Sequence, residues 1–291
     1  MEIIILICID CFLCGIIISL AYKRLKEYKE EKKKNLSISN YLRLEKEEQA
    51  LVELEEKEER EKKWDIVYIL KNDIDDKPRE LTYSLRSLKN FSYDRVWFVG
   101  GQPKGLVPDK SFPLKQQGKD KWEKVIYSLR ALCQNEDISE NFWLFNDDFF
   151  VMHPHEQQLA YYDHDLAFRI LTLEDVRGRI SYSKMLRKCL FFLEKNNLPT
   201  KNYAVHIPML INKTKALEVI DKFPLVKNFR NIYGNYFELE AIKCPDVKYS
   251  DNSREIDTSS NFLSTHERSF GSGKIGKYIR AQFPEPSRFE K

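Results

Sequence analysis

The sequence of 291 residues has almost no net charge, because 48 Lys and Arg face 45 Asp and Glu, which leaves +3 at pH 7. These charges are interspersed along the chain, so nothing in the composition points to a nucleic-acid partner. Cysteine is also scarce: three lie within the first 14 residues, and Cys133, Cys189 and Cys244 follow. Three cysteines cannot all pair internally, so a reducing compartment is favoured, with one disulfide and one free thiol as the alternative.

One long apolar run stands at the N-terminus, over residues 3–22, with Asp10 as its one charge. The run is long enough to cross the hydrocarbon core of a bilayer, so we predict a single transmembrane anchor over residues 1–22. A cleavable signal peptide is disfavoured, because the basic residues of 23–26 follow the run and no Ala-x-Ala-like site is present. The same charges predict a cytoplasmic position for the rest of the chain.

Glycine and proline are missing from residues 23–63, which are rich in Glu, Lys and Arg. Glu/Lys spacing of this kind supports a solvated helix through i,i+4 pairs, so we predict a charged helical stalk. Leu44, Leu51 and Leu54 fit one heptad step but do not continue it. An exposed spacer is therefore favoured, and self-association of the stalk through a short coiled coil is the alternative.

The globular part begins at Trp64 and alternates strand and helix patterns. The predicted elements are strand 65–70, a helix carrying Leu81, Leu85 and Leu88, strand 95–99, helix 122–133, strand 142–145, and helices 181–196 and 214–222. Strand, helix, strand is the order of a βαβ unit. We therefore predict one α/β domain over residues 64–291, Rossmann-like, with a mixed, largely parallel sheet flanked by helices.

The strongest functional signal is the run from Asn141 to Phe150, an aromatic strand that ends in Asn146, Asp147 and Asp148. Carboxylate and amide oxygens at the carboxyl end of a strand can hold Mg²⁺ or Mn²⁺ and leave positions open for substrate phosphates. We predict Asp147 and Asp148 as metal ligands, Asp148 also as a catalytic residue, and Asn146 as a substrate contact. An Asp-rich turn is the alternative reading.

Two other predicted strands end in polar or glycine-rich loops. Asn72 and Asp73 follow the first strand, and Gly100, Gly101 and Gln102 follow the second. The carboxyl ends of parallel strands form the ligand crevice of an open α/β sheet, so these loops are expected to converge with the Asp pair. Asp73 is the candidate for a catalytic role, and Gly101 and Gln102 are candidate substrate contacts.

Four segments form a series that runs from Trp64 to the end of the chain. They are Asp65–Tyr68; Arg79–Ser87 with Gly101–Pro103 and Phe145–Asp148; His206–Lys213 with Phe229–Arg230; and Phe283–Glu290. In content and order they resemble the Stealth family of hexose-1-phosphate transferases, which includes bacterial capsule polymerases and GlcNAc-1-phosphotransferase. Ile69–Asp73 departs from the family's Trp-Val-Asp-Gly, and Gly118–Lys124 replaces its Phe-Asn-Ser stretch. The resemblance is thus to a divergent member.

The resemblance implies a nucleotide-sugar-transferase fold of the GT-A kind and a definite reaction. A sugar-1-phosphate would pass from a nucleotide diphosphate sugar to a hydroxyl of a glycan acceptor, giving a phosphodiester in a cell-surface or capsular polysaccharide. Attack at phosphorus requires charge neutralisation, alignment and removal of the acceptor's proton.

Residue roles follow from matching these segments. Arg86 and Arg230 would clamp phosphate oxygens, because a guanidinium donates bidentate hydrogen bonds and stays charged. His206 would accept the acceptor's proton. The C-terminal part of the resemblance adds His266 as a catalytic candidate and Glu267 as a substrate contact. Surface ion pairs for the arginines and a structural role for His206 are the alternatives.

Two other functions fit the same pattern. A metal-dependent glycosyltransferase of GT-A type would use the Asp pair but attack the anomeric carbon and release a nucleoside diphosphate. A membrane-tethered protein that binds sugar without turnover is the non-enzymatic alternative. The leaving nucleotide separates the first two readings, and binding without turnover identifies the third.

Overall fold

The computed structural model describes residues 23–27, 43, 45–47, 49, 63–74, 79–155, 159–177, 180–224, 227–250 and 254–291. The chain forms two compact units, Met1–Lys62 and Lys63–Lys291. The described residues of the first unit are helical, and Arg43 forms an i,i+4 ion pair with Glu47 at 3.6 Å. The predicted membrane anchor over residues 1–22 lies outside the described residues. Within the described ranges, no helix is long and apolar enough to cross a membrane.

The second unit alternates strands and helices through its first half and becomes more helical afterwards. Its strands are β1 (Asp65–Leu70), β2 (Val96–Gly100), β3 (Lys110–Pro113), β4 (Asn141–Phe145), β5 (Phe149–Val151), β6 (Ala160–Tyr162), β7 (Met209–Asn212), β8 (Ala241–Lys243), β9 (Lys248–Tyr249) and β10 (Phe262–Thr265). Its helices are α1 (Arg79–Ser87), α2 (Lys121–Cys133), α3 (Leu166–Arg177), α4 (Ile180–Lys195), α5 (Lys213–Lys222), α6 (Phe229–Tyr236), α7 (Glu267–Ser272) and α8 (Lys274–Gln282). A short 3-10 turn, Leu88–Asn90, follows α1.

The central sheet has the order β3-β2-β1-β4-β7. β1 pairs in parallel with β2 and β4, β2 pairs in parallel with β3, and β7 is antiparallel to β4. The predicted mixed, largely parallel sheet is therefore confirmed. Neither edge strand of this sheet was predicted from the sequence: β3 is short and mostly exposed, and β7 has only four residues with alternate ones buried.

The central strand β1 buries both of its faces, as parallel strands covered by helices do. Tyr68 lies opposite Phe98 on one side and Phe145 on the other. Its ring is 5.6 Å from that of Phe145, and its hydroxyl is 2.9 Å from the Ser84 hydroxyl of α1. Burial raises the pKa of Tyr68, so this phenol stays neutral and belongs to the core under α1.

A second, smaller sheet positions the end of β4. Its order is β5-β10-β9, with β5 antiparallel and β9 parallel to β10. The chain leaves the central sheet after Phe145, turns through residues 146–148 and enters the smaller sheet at Phe149. The Asn-Asp-Asp triplet therefore lies in the connection between two sheets, which brings residues of β9 and β10 beside it.

The three cysteines of the second unit are free thiols. Burial raises the pKa of Cys133, Cys189 and Cys244 to about 12 in each case. A thiol with such a pKa is protonated near neutral pH, and the thiolate is the reactive form. These cysteines are therefore not placed for nucleophilic chemistry.

Candidate active site

A cavity of about 890 Å³ opens where β1 and β4 end. Ile69 of β1, Phe145 of β4 and Asn146 of the following turn lie in its wall. A volume of this size is within the range of sites that enclose small molecules and cofactors. Its position agrees with the expected crevice at the carboxyl ends of the strands.

The cavity is strongly cationic. Among its described lining residues, Asp246 is the one carboxylate, and six are lysines or arginines: Lys121, Arg169, Lys227, Arg230, Lys248 and Arg254. His206 and His266 also line it. Arg169, Lys227 and Lys248 are paired with carboxylates, so the excess positive charge comes from the other three. A concave surface with an excess of positive charge attracts anions, so the cavity is suited to an anionic ligand such as a diphosphate.

His206 and Asp246 form a hydrogen-bonded pair in the cavity wall. Nδ1 of His206 lies 2.8 Å from Oδ1 of Asp246, and the His206 side chain is 26% exposed. A carboxylate at Nδ1 favours the tautomer that carries its proton there and leaves Nε2 free to accept one. The pair has the form of a general base, His206, that the carboxylate of Asp246 holds in one orientation.

Asp246 is held by two arginines as well. Nη2 of Arg169 donates to Oδ2 of Asp246 at 3.1 Å, and Nη1 of Arg254 donates to its backbone carbonyl at 2.9 Å. Burial alone would raise the pKa of Asp246, but the hydrogen bond from His206 and the charges of His206 and Arg169 bring that pKa below its usual value. The carboxylate is therefore ionised at neutral pH.

Arg230, at the start of α6, connects β4 to the segment that precedes β7. It donates to the carbonyl of Ile207 at 2.5 Å and to that of Leu144 at 3.0 Å, and its guanidinium lies 5.2 Å from the centre of the Phe149 ring. Burial lowers the pKa of Arg230 to about 10, against the opposing effect of the Asp148 charge, so the group stays positive at neutral pH. No carboxylate among the described residues forms an ion pair with it, which leaves its charge for a ligand.

Asp148 is paired with a lysine. Nζ of Lys248, in β9, lies 2.6 Å from Oδ2 of Asp148, and the Ser264 hydroxyl of β10 donates to the same oxygen at 3.1 Å. The other oxygen, Oδ1, is buried without a hydrogen-bond partner among the described residues. The smaller sheet therefore supplies a cation directly at the carboxylate that ends the aromatic strand.

Asp147 and Glu80 lie near the Asp148–Lys248 pair and have raised pKa values. Asp147 is exposed by its accessible surface but sits in a position crowded by protein atoms; this crowding and the charge of Asp148 raise its pKa to about 6. Burial and the charges of Asp148 and Asp147 raise the pKa of Glu80 to about 7, although Thr265 donates to it at 2.5 Å. The negative charges of neighbouring carboxylates thus disfavour ionisation of Asp147 and Glu80.

The expected Mg²⁺ or Mn²⁺ can be tested against these oxygens. The described residues contain no group of three or more His, Cys, Asp or Glu side chains arranged to hold a metal ion. Asp148 offers Oδ2 to Lys248 and buries Oδ1, so its oxygens do not face an incoming cation. Asp147 fits better, because its carboxylate is exposed and Mg²⁺ often binds through one carboxylate, waters and substrate phosphates.

The other candidates at the strand ends lie elsewhere. Asp73 is exposed in the turn after β1, and Gly101, Gln102 and Glu267 are, like it, absent from the described lining of the cavity. Gly101 serves the backbone: a Cβ atom there would lie 2.1 Å from the carbonyl oxygen of Lys71. The amide of Gln102 donates to the carbonyl of Gly100 at 3.3 Å. The structure thus gives Gly101 and Gln102 roles in the loop after β2.

Arg86 is bound to the C-terminal segment. Its guanidinium makes a bidentate pair with Glu290 at 2.8 and 2.6 Å, and Nη1 donates to the carbonyls of Phe283 and Pro284. The Arg86 side chain is 13% exposed. These contacts join α1 to the last residues of the chain, and they occupy the donors that the expected phosphate clamp would use.

Of the sequence candidates, Asn146, His206, Arg230 and His266 line the cavity, and Asp148 touches it through Lys248. Five residues of the site or its surroundings were not candidates from the sequence: Glu80, Arg169, Asp246, Lys248 and Arg254. Asp246 precedes β9 by two residues and Lys248 begins it, and neither an apolar period nor a motif marks these positions in the sequence. The one available signal was Pro245, a loop residue next to a carboxylate.

Comparison with known proteins adds little beyond this. No family model and no curated protein matches the chain. The similar solved structures include an active-site mutant of LgtC, with a TM-score of 0.40, and the galactosyltransferase LgtC in complex with donor and acceptor sugar analogues, with a TM-score of 0.41. Each is 10% identical, and each alignment covers 77% of this chain and 98% of the other. A likeness this distant carries no argument about activity.

Proposed function

We propose that the second unit transfers a sugar-1-phosphate from a nucleotide diphosphate sugar to a hydroxyl of a glycan acceptor. The observation that carries the proposal is the His206–Asp246 pair, 2.8 Å apart, in the wall of a cavity whose described lining has six cationic side chains. A base and a field of positive charge are what transfer of a phosphoryl group to a hydroxyl requires. The Stealth-like motifs support the same reaction, and the family assignment is part of this proposal.

His206 removes the proton of the acceptor hydroxyl at its Nε2. The acceptor oxygen forms a bond to the phosphorus that carries the sugar, and the bond from that phosphorus to the bridging oxygen of the diphosphate breaks. A nucleoside monophosphate leaves with the electron pair, and the product is a phosphodiester. Asp246 keeps the proton of the neutral imidazole on Nδ1 and stabilises the imidazolium that forms.

Arg230 and Lys248 contact the diphosphate, and Arg230, which forms no ion pair with a described carboxylate, supplies net positive charge. The guanidinium of Arg230 is fixed by two backbone carbonyls and lines the cavity, so a phosphate binds to it at little cost in side-chain entropy. Lys248 lies 2.6 Å from Asp148, which holds the ammonium in place. Fixed cations of this kind stabilise the charge that develops on the phosphate oxygens in the transition state.

One described side chain, that of Asp147, is suited to hold Mg²⁺ or Mn²⁺ in this reaction. Asp147 would hold the ion together with phosphate oxygens of the donor, and the ion would supply further neutralisation of the diphosphate. Asp148 contributes through Lys248, since the lysine already occupies the accessible side of its carboxylate.

We further propose that the domain is tethered to the cytoplasmic face of a membrane and acts in the synthesis of a capsular or other cell-surface polysaccharide. The apolar run 3–22 and the basic residues after it support this position. Protease added to intact and to opened cells tests it. Cleavage of the segment 23–63 only in opened cells is expected, and cleavage in intact cells would place the domain outside.

The leaving nucleotide tests the reaction. The full chain is incubated with a panel of nucleotide diphosphate sugars, glycan acceptors and Mg²⁺, and the nucleotides are separated by chromatography. Nucleoside monophosphate that depends on the acceptor is expected, and His206→Ala abolishes it. His153→Ala is the matched control, because His153 binds the carbonyl of Thr258 and is not among the described lining residues. Nucleoside diphosphate as the product would support a glycosyltransferase instead.

A further inference from the structure

One part of the cavity wall is aromatic and aliphatic. Trp122 in the first turn of α2 and Tyr182 of α4 lie with ring centres 6.4 Å apart and ring planes inclined by 14°. Both line the cavity, together with Val125 and Leu173. Val125 follows Trp122 by three residues on the same helix, so both point to one side, and it is 37% exposed. The cavity therefore joins this flat apolar surface to the cationic region described above.

The apolar surface selects the kind of group that can lie on it. A sugar ring can place its C–H face on such a surface, but each hydroxyl at its edge then needs a hydrogen-bond partner, which a nucleobase stacked by its face does not require of this surface. The side chains of Trp122, Val125 and Leu173 offer no oxygen, and their surfaces suit a planar ring that stacks by its face. A nucleotide combines such a ring with phosphates, which is the combination that the two parts of the cavity provide.

Trp122 is fixed before any ligand binds. The carboxylate of Asp120 accepts the backbone N–H groups of Trp122 and Glu123 at 3.1 and 3.0 Å and so caps α2. Lys227 connects this turn to the segment before α6, with Nζ 2.5 Å from Asp120 and 2.7 Å from Glu123. These contacts fix the backbone of Trp122, and its ring is contacted by Tyr182 and by Nζ of Lys121, which lies 5.0 Å from the ring centre. A side chain packed in this way loses little conformational freedom when a ligand stacks on it.

We infer that Trp122, backed by Tyr182, is the stacking surface for the nucleobase of the donor. The inference rests on the proposed function, because it assigns the donor's base to the same cavity. It also makes Trp122 a determinant of affinity for nucleotides as a class, since stacking uses a ring face that every base has. The phosphates then lie toward Arg230 and Lys248, the base toward α2.

Binding to the full chain tests the inference without a known acceptor. Dissociation constants are measured by calorimetry for inorganic pyrophosphate and for nucleoside diphosphates with each of the common bases. The wild-type chain is expected to bind at least one nucleoside diphosphate more tightly than pyrophosphate. Trp122→Ala is expected to weaken nucleotide binding by about 10-fold and to leave pyrophosphate binding unchanged, whereas Trp122→Phe retains most of the affinity.

Tyr127→Ala provides the matched control, since Tyr127 is a partly buried aromatic residue of α2 outside the described lining of the cavity. Equal nucleotide affinity in Trp122→Ala and wild-type protein would overturn the inference and leave the proposed function standing. Nucleoside diphosphates that bind no better than pyrophosphate to the wild-type chain would overturn it too. The proposed function fails separately, if nucleotides bind as expected but the chain forms no sugar phosphodiester.

Discussion

Lys248 lies with its ammonium 2.6 Å from Oδ2 of Asp148, so the carboxylate that ends the aromatic strand β4 is neutralised by a side chain one hundred residues further along the sequence. The contact joins the central sheet to the smaller one. The sequence of the acidic triplet suggests a cation site. In the structure, Asp148 instead binds the ammonium of Lys248, which lines the cavity. Lys248 thus offers N–H donors to a diphosphate at this point, although the pair as a whole carries no net charge.

Removal of the lysine is expected to affect stability and binding together. Lys248→Met leaves the charge of Asp148 largely buried and unpaired, but the pair's side chains are 23% and 12% exposed, so the loss is below the roughly 3–5 kcal/mol of fully buried pairs. Adding Asp148→Asn removes the unpaired charge and is expected to restore stability but not nucleotide affinity. Urea unfolding and calorimetry check both quantities; recovery of affinity in the double variant would contradict the role of Lys248.

The Asp246–His206 pair predicts a defect in turnover with little change in donor affinity. In Asp246→Asn an amide replaces the carboxylate at Nδ1, so the proton of the imidazole is no longer held there and Nε2 ceases to be a reliable acceptor. The expected fall in kcat is on the order of 10²-fold or more. Nitrogen NMR of the imidazole reports the shift of the proton directly.

The control for that prediction is a comparison of the single and double variants of His206 and Asp246, whose effects on activity are expected not to add. His206→Ala and the double variant with Asp246→Asn are expected to have similar residual activity, because Asp246 acts through His206. A double variant that is slower by the product of the two single effects would show that Asp246 acts independently, for example on the phosphates through Arg169.

Glu80 predicts a dependence of stability on pH. Its pKa is about 7 in the folded protein against an ordinary value of 4.5, so its contribution to folding is fully present below pH 4.5 and is lost as the pH rises through 7. Glu80→Gln stays neutral and is expected to be more stable than wild type at pH 8 and no more stable at pH 4.5. Thermal unfolding at both pH values measures the difference, with the exposed Glu267→Gln as control. A constant difference between the two pH values would contradict the prediction.

Arg86 and Arg230 are expected to respond differently to the same substitution. Arg86→Lys breaks the bidentate contact with Glu290 and is expected to cost about 2 kcal/mol of unfolding free energy with nucleotide affinity unchanged. Arg230→Lys is expected to weaken nucleotide binding, because the lysine cannot hold two carbonyls and a phosphate at once. Loss of nucleotide affinity in a stably folded Arg86→Lys protein would return Arg86 to the phosphate site.

Much of the central sheet could be predicted, because β1, β2 and β4 are continuous apolar runs and α2 and α4 have helical spacing over three or more turns. The edge strand β3 could not, because it is short and exposed. Local pattern is informative where burial covers a whole element and silent where it does not.

The site was predictable only in part, for a related reason. Asn146, His206 and Arg230 lie next to apolar runs that mark where elements begin or end, and all three line the cavity. Asp246 and Lys248 come from a short charged segment whose position is set by pairing with β10, a tertiary contact that sequence spacing does not encode. The partner of Arg86 is likewise 204 residues away, so its ion pair could not be foreseen from α1.

The most direct test of sugar-1-phosphate transfer is to determine which product receives the phosphorus that is joined to the sugar in the donor. The full chain is given a nucleotide diphosphate sugar that carries a radioactive label only on the phosphorus joined to the sugar, together with a glycan acceptor. Transfer of a sugar-1-phosphate predicts that the label enters the acceptor in a phosphodiester and that the released nucleoside monophosphate is unlabelled. A labelled nucleoside diphosphate beside an unlabelled glycan product would contradict the account, since the sugar alone would then have been transferred.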